Sequence, residues 1–585
     1  MTKHNLLRKQ YTLNETNYQL KIPMELDACI PEDDCVRLIR QFVEEMDLTA
    51  LYGTYERMPS EKYASPEIML KIMLYAYHER KDVSSRTIEK NCKRDINYMY
   101  LLEGRKAPDH AAIARFRTKH FAKCARHFMA QMTKFLIKLE QVTATEVFID
   151  GTKIESAANR YTFVWRKAVT KHQARFLQKT ALLVGDIIQR QELKPLWQKQ
   201  VKKKHVKKIL KKLRAKANEE SLEFVSGRGH IKTQLQRDIE ALEAALEKLK
   251  EYEKKLHICA DRGSYAKTDP DATFMHMKDD HMLNGQLKPA YNIQHAVNSG
   301  FIVAAGIFPN PTDVMTLKPF LNQMEDDLSF AFERIVCDAG YESEENLSFL
   351  RAKGIEAYIK PANYEQLGTK KFAKEIGRKE NMQYDKEQDC YLCHNGKEIK
   401  RIGSRKVKTA SGYIREETQY ACSECGGCPY KEKCMSGKNW KKPLEERYKK
   451  LTVSRLFEEL REEEYRRIHS EEGKKLRMNR SIQAEGGFAD IKGDSGFTRF
   501  LCKGNENVFA EYILYAMAHN LGWLHSRIQN DKLDLHLYEL KEGEKEAARR
   551  RKEIHEEYRG LFEILGYDDA KELIRLLKIL LTYKK

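Results

Sequence analysis

Apolar residues recur at three- and four-residue steps through Pro66–Lys81 (PEIMLKIMLYAYHERK), with Ser65 as a cap and Pro66 in the first turn, which predicts a helix. Ser84–Leu102 keeps that spacing as one helix or two, and Asp109–Leu139 as a longer third. The first 140 residues therefore read as a helical domain. At Thr145 the period changes. Thr145–Ile149 (TEVFI) is a short apolar run, read as a buried strand that stops at Asp150, with Gly151 following. Trp165–Leu256 is charge-rich and helix-periodic. In it Val201–Lys216 (VKKKHVKKILKKLRAK) is strongly basic, and Asp238–Leu256 has Glu-to-Lys pairs at helical spacing. This stretch predicts a helical insertion, an antiparallel pair.

Strand patterns return at Pro289–Asn298 and Gly300–Phe308, joined by the turn Asn298–Ser299–Gly300, then at Arg334–Cys337 and Ile355–Ile359. Helical stretches, Asp313–Met324 and Glu342–Lys353, alternate with them, which predicts an α/β layer around a mixed sheet. Tyr364–Lys441 is irregular and bears cysteines. Leu444–Arg480 is charged and helical, Glu506–Ser526 is an apolar helix, and Asn530–Lys585 reads as an amphipathic helical tail. No internal repeat of fixed period stands out.

Composition adds a partner. The chain has 585 residues, enough for several domains, and its charge is 105 − 86 = +19. A basic multi-domain chain points to nucleic acid; the blander reading is that the charge only keeps the chain in solution. In the N-terminal helices Arg86, Lys90, Lys93, Arg94, Arg115, Arg117 and Lys119 are expected to be exposed. Short helices with such residues fit a helix-turn-helix-like DNA binder, or else a plain bundle with basic faces. The longest apolar runs, such as Leu576–Tyr583, fall far short of the roughly 20 residues of a membrane span. The N-terminus lacks a signal-peptide pattern, so the expected location is the cytoplasm.

Three acids stand out by context: Asp150 in FIDGTKIES, Asp338 in IVCDAGYES, and Glu485, which is read as opening a helix in NRSIQAEGGFADIKG. A carboxylate at the carboxyl end of a buried strand faces the crevice where α/β folds place chemistry. Two such strands and a helix with a third carboxylate make a hard-oxygen pocket that suits Mg²⁺, and a pair of such ions suits phosphodiester chemistry. Singly, each acid reads equally well as a turn or cap residue.

The strings FIDGTKIESAANRYTFVWRKA, TDPDATFMH, LKPAYNIQHAV, IVCDAGYESEENLSFL and RSIQAEGGFADIK resemble the DDE transposases of bacterial insertion sequences, over about residues 20–525. The branch resembled has its third acid in a Tyr-Arg-Glu-Lys signature. The resemblance implies an α+β, α/β multidomain chain with a ribonuclease-H-like core built from 141–164, 259–363 and 442–529. Around it would lie an N-terminal DNA-binding domain (1–140), the insertion (165–258), a Cys-rich module (364–441) and the tail (530–585). It implies two Mg²⁺ (or Mn²⁺) held by Asp150, Asp338 and Glu485, cleavage at terminal inverted repeats, 3′-OH joining to target DNA, a homodimer in synapsis, and a place on the bacterial nucleoid. Lys492, seven residues after Glu485 as in the signature, would share a helix face with it and hold a phosphate. The signature's Arg position is Ser481 and its Tyr position Met478, which leaves the phosphate role to Arg480 one residue earlier. In this frame Lys153 and Arg160 are candidates for DNA contact. Trp165 would stack on an unstacked base, or pack the insertion onto the core. Asp269, Asp271 and Asp313 are further carboxylates near the sheet, with Asp313 read as a helix N-cap. The alternatives are an inactive transposase-derived DNA-binding protein and a metal-dependent nuclease that cuts without joining.

The thirteen cysteines are an odd number, which argues against a disulfide framework. Cys422, Cys425, Cys428 and Cys434 form C-x2-C-x2-C-x5-C, and Cys390 and Cys393 form another C-x2-C upstream. That spacing fits a structural zinc site. The expected ligands are Cys393, Cys422 or Cys425, Cys428 and Cys434, with His394 spare and iron–sulfur ligation or plain buried thiols as alternatives.

Overall fold

Residues 26–79, 82–194, 201–227, 229–277, 285–367, 369–435, 442–494 and 496–539 are described by the structure, a computed structural model. The N-terminal helices start where polar caps stand. Ser65 caps Pro66–His78, Ser84 caps Ser85–Asn91, Asp95 caps Ile96–Leu102 and Asp109 caps His110–Arg115. The long third helix is one rod with a wider π-helical turn at Phe116–Phe121 before Ala122–Lys138. That turn shifts the register and turns Arg117 inward. Arg117, expected exposed, is buried: its guanidinium donates to Tyr77 Oη (3.1 Å) and Val83 O (3.4 Å). Glu511, fully buried on a neighbouring helix, supplies opposite charge. Arg86, Lys90, Lys93, Arg94, Arg115 and Lys119 are exposed as expected.

Among the described residues eight strands precede the cysteine module: β1 (Glu146–Glu155), β2 (Phe163–Trp165), β3 (Ser264–Ala266), β4 (Thr273–His276), β5 (Leu287–Asn298), β6 (Phe301–Phe308), β7 (Arg334–Cys337) and β8 (Glu356–Ile359). β1 lies between antiparallel β5 and parallel β7, β7 continues to parallel β8, and β5 carries antiparallel β6 and β4 on its far edge. The sheet is mixed, as expected. β1, however, is twice the length read from the sequence. Asp150 sits in mid-strand rather than at its end, because residues 150–155 continue to pair with His295–Ala290. Gly151 is therefore no turn; it lies opposite Gln294.

Both faces of the sheet are covered, so its strands are buried runs with no clean alternation. On one face lie helices Ala122–Lys138 and Asn505–Gln529. The second is apolar nearly all round and packs against Pro66–His78 as well as β6. Asn520 brackets Ile302 of β6 through both N (2.8 Å) and O (2.7 Å), and Thr133 donates to Val303 O (2.7 Å). The other face is covered by Glu471–Ala489, whose Leu476 and Ala484 pack on Phe148, Val336 and Tyr358.

The insertion leaves and returns through the β2–β3 pair. It comprises three helices, Arg166–Arg190, Lys203–Glu219 and Gln234–Cys259, rather than a pair, with a core of its own. The basic run is amphipathic: Val206, Ile209, Leu210 and Leu213 are buried and its lysines face outward or rim that core. The cysteine module is likewise more regular than its sequence. β9 (Gln383–Asp385), β10 (Cys390–Leu392), β11 (Glu398–Lys408), β12 (Ile414–Ala421) and β13 (Lys450–Val453) form an antiparallel sheet. Its β11 is exposed along most of its length, so no apolar pattern announced it. The predicted helical tail falls on residues that, from 540 on, lie outside the described ones; 530–539 are non-helical. No helix among the described residues is long and apolar enough to cross a membrane.

Candidate active site and cysteine cluster

Asp150 and Asp338 are brought side by side by strand register. Ile149 of β1 pairs with Cys337 of β7, and each acid is the next residue. Adjacent strands lie about 4.8 Å apart. Side chains alternate, so both acids share the face of Phe148 and Val336, the face covered by Glu471–Ala489. Asp338 leaves β7 into a tight turn, Ala339–Tyr341, where Gly340 N donates to its Oδ1 (2.8 Å).

A further carboxylate, Asp313, lies near Asp338. Asp313 opens a short turn ahead of Leu317–Leu328, but its carboxylate does not cap that helix. It turns onto the sheet, where the fully buried amides Asn292 Nδ2 (2.8 Å) and Gln294 Nε2 (2.9 Å) of β5 donate to Oδ1. Tyr341 Oη donates in turn to Gln294 Oε1. A Cβ on Gly151 would lie 2.7 Å from Asp313 Oδ1 and 2.5 Å from Gln294 Nε2, so only glycine leaves room for this clamp. A Cβ on Gly340 would meet Asp338 Oδ1 at 2.9 Å and Asp313 Oδ2 at 3.7 Å, which places both carboxylates around one point. Burial, with Asp313, Asp150 and Asp338 all nearby, pushes the Tyr341 hydroxyl well above its ordinary value. The signal available in sequence was the alternating amide pair in YNIQ on β5, which only the strand pairing connects to Asp313.

Glu485 lies near the end of its helix, not at the start, because the helix begins at Glu471 behind the Ser470 cap. Its backbone is well placed. The carbonyl of Ala484, one residue before, meets His295 Nε2 (3.2 Å), and His295 is the cross-strand partner of Asp150. Its carboxylate, however, is largely exposed and paired with Arg480 Nη2 (2.8 Å), whose side chain is 14% exposed. Lys492 does not continue the helical face. After Ala489 the chain widens into a π-helical turn, Asp490–Asp494, and the Lys492 ammonium reaches Lys153 O of β1 (3.4 Å). Lys153 Nζ donates to His276 O (3.1 Å). Arg160 forks onto Glu155 (2.6 and 2.8 Å). Trp165 packs beside Phe163 and Phe274 where the insertion meets the core. Asp269 receives Tyr291 Oη (2.9 Å) and Ser156 Oγ (2.5 Å) as a buried brace, and Asp271 takes Asn505 N (2.9 Å) at the start of the last helix.

His295 seats the covering helix. It stacks on Phe488 (3.5 Å between centroids), faces Tyr512 Oη and is wholly buried, which pushes its pKa down to about 3. It stays neutral when folded but titrates near 6.5 when unfolded, so the unfolded chain takes up the proton first and stability falls as pH drops below that value. Going from about pH 7 to about pH 5 is expected to cost about 2 kcal/mol through this residue alone. Chemical denaturation at both pH values, in wild type and His295→Asn, checks this; equal slopes in the two would refute it.

Of the cysteines, Cys393, Cys422, Cys425, Cys428 and Cys434 converge on one cavity, while Cys390 does not line it. Among the described residues no group of three or more His, Cys, Asp or Glu is arranged to hold a metal ion.

Two family models match this chain. One described as "Transposase domain (DUF772)" covers residues 24–119, the capped N-terminal helices. One described as "Transposase DDE domain" covers residues 392–525, which hold the five convergent cysteines, Arg480, Glu485 and Lys492; Asp150 and Asp338 lie outside it. No curated protein and no solved structure matches. The two matches, in this order along a chain whose mixed sheet sets two acids side by side, support an insertion-sequence DDE transposase.

Proposed function

We propose that this transposase cuts DNA at the terminal inverted repeats of its element and joins the freed 3′-OH ends to target DNA, through Asp150, Asp338 and Glu485 in a ribonuclease-H-like core. The carrying observation is the register that sets Asp150 beside Asp338 beneath the helix of Glu485. The strand order supports the core assignment: an antiparallel meander β1–β5–β6 is followed by parallel β7 and β8 on the other side of β1.

Asp150, Asp338 and Glu485 are hard-oxygen donors of the kind that Mg²⁺ or Mn²⁺ would take; their carboxylates do not stand in a ligating arrangement here, and Asp313 is fixed by buried amides near Asp338. Divalent cations held there supply charge neutralisation at the phosphate and activation of the attacking oxygen. The protein's share is positioning. Asp150 and Asp338 are fixed by the sheet. Glu485 swings between Arg480 and the strand acids. Lys492, at the edge of β1, and Arg480 meet the phosphate. DNA approaches over Lys153 and, in the N-terminal domain, over the exposed Arg86, Lys90, Arg94 and Arg115. Arg117 is excluded by its burial and Arg160 acts by holding Glu155. Synapsis of two ends calls for a homodimer, working on the nucleoid in the cytoplasm.

The test is cleavage and strand transfer with DNA bearing the gene's own flanking ends, in Mg²⁺, by wild type and Glu485→Gln. Nicked ends and joined products from wild type alone are expected. Specific binding without cleavage by either protein would make it an inactive DNA-binding descendant; cutting without joined products would make it a nuclease.

A further inference from the structure

The cysteine cavity is untouched by the phosphodiester chemistry. Its thiols come from separate stretches: Cys393 after β10, Cys422 just past β12, Cys425 and Cys428 in the next loop, and Cys434 on the short helix Lys431–Cys434. All are free. We propose that Cys393, Cys428 and Cys434, with Cys422 or Cys425, bind one structural zinc ion as a tetrathiolate.

Two backbone knuckles face each other across the cavity. In one, Cys393 N donates to Lys397 O (2.9 Å) and Gly396 N to Cys393 O (2.8 Å), with Gly396 at φ +68°. In the other, Gly427 at φ +67° bends the chain between Cys425 and Cys428. A left-handed glycine in each turn is what folds a short segment back on itself so that its sulfur points inward. Cys434, on the short helix Lys431–Cys434, lines the cavity together with Cys393, Cys425 and Cys428. Cys422, 2% exposed, is held at the end of β12, where its N donates to Lys449 O (3.0 Å), and it lines the same cavity.

The donor chemistry selects the ion. Four soft sulfurs favour zinc over the hard cations of the carboxylate site. A zinc tetrathiolate carries two net negative charges, and Lys397, Lys431 and Lys449 line the same cavity. The sulfurs surround the cavity without standing in a ligating arrangement. Binding therefore draws the loop 425–434 onto Cys393, and the thiols release their protons as four Zn–S bonds form. The module needs such a clasp, because its buried cluster is small. It matters to the rest of the chain because Arg455, which opens the helix before that of Glu485, is anchored in the module by Tyr384, Asp389 and Tyr420.

The test is elemental analysis of the full chain, purified reduced and without chelator. About one zinc per chain is expected. Serine at 393, 428 or 434, and at one of 422 and 425, should weaken retention against a competing chelator at least about tenfold, while Cys390→Ser keeps it. Cobalt exchanged into wild type counts the thiolates from its charge-transfer intensity, so variants that fail to fold do not block the answer. Wild type with no zinc and freely reactive thiols, iron with sulfide in place of zinc, or zinc lost in Cys390→Ser but kept in Cys428→Ser would each overturn the proposal. Metal content is read without DNA, so this result stands apart from the outcome of the cleavage test.

Discussion

Asp338→Asn is expected to lower cleavage at the element's ends on the order of a thousand-fold, with DNA binding intact and stability unchanged or slightly raised. The substitution is nearly isosteric. The bond that shapes the turn, Gly340 N to Asp338 Oδ1 at 2.8 Å, survives because an amide oxygen accepts as well as a carboxylate oxygen. What is lost is a charge next to Asp150 by register and near Asp313. Like charges crowded in this way oppose folding and serve only the reaction, so removing one relieves repulsion. Adding Asp150→Asn should cost little further activity, since groups acting as a unit do not contribute additively. Cleavage within about tenfold of wild type would remove Asp338 from the site. A large loss accompanied by a lowered melting temperature would assign it a structural role instead.

The strands that matter most were legible because they are short apolar runs flanked by turn residues; Arg334–Cys337 matches to the residue. β1 was cut short at Asp150 because a buried acid followed by glycine looks like a turn, and only pairing with β5 reveals that the strand continues. The same blindness hid Asp313, whose partners are 21 and 19 residues away on another strand. Arg117 was misplaced because helical periodicity assumes one pitch, and the π-helical turn at Phe116–Phe121 breaks it. The helix face expected to carry both Glu485 and Lys492 is broken for the same reason at Asp490–Asp494. The family's acids could be placed by resemblance, but which side chains share a point is set by strand register. That is long-range and invisible to local pattern.

Lys71→Met is expected to destabilise the N-terminal domain by about 3 kcal/mol. Lys71 is 1% exposed in the middle of Pro66–His78, and its ammonium meets Glu44 (2.8 Å), Glu67 (2.8 Å) and Glu103 (3.1 Å). Methionine keeps the apolar stem, so the loss is that of the ammonium, which leaves three carboxylates facing one another. Those carboxylates are partly solvated, which holds the cost at the lower end of the range for a broken buried pair. The pH dependence follows from the directions of the shifts. Burial would lower the Lys71 pKa, but the three glutamates raise it, so its contribution is complete below the ordinary lysine value and is lost as pH rises through the folded one. Burial would raise Glu44, but hydrogen bonds from Lys71 and Arg40 lower it, so its contribution is present above the ordinary glutamate value and is lost as pH falls through the folded one. Without the ammonium the carboxylates take up protons more readily, and the gap between variant and wild type narrows on acidification. Hydrogen exchange reads this directly. Amides of Pro66–His78 should lose roughly a hundredfold in protection at neutral pH, and less as pH falls toward the carboxylate range. Protection unchanged at neutral pH would mean that water, not Lys71, neutralises these three glutamates.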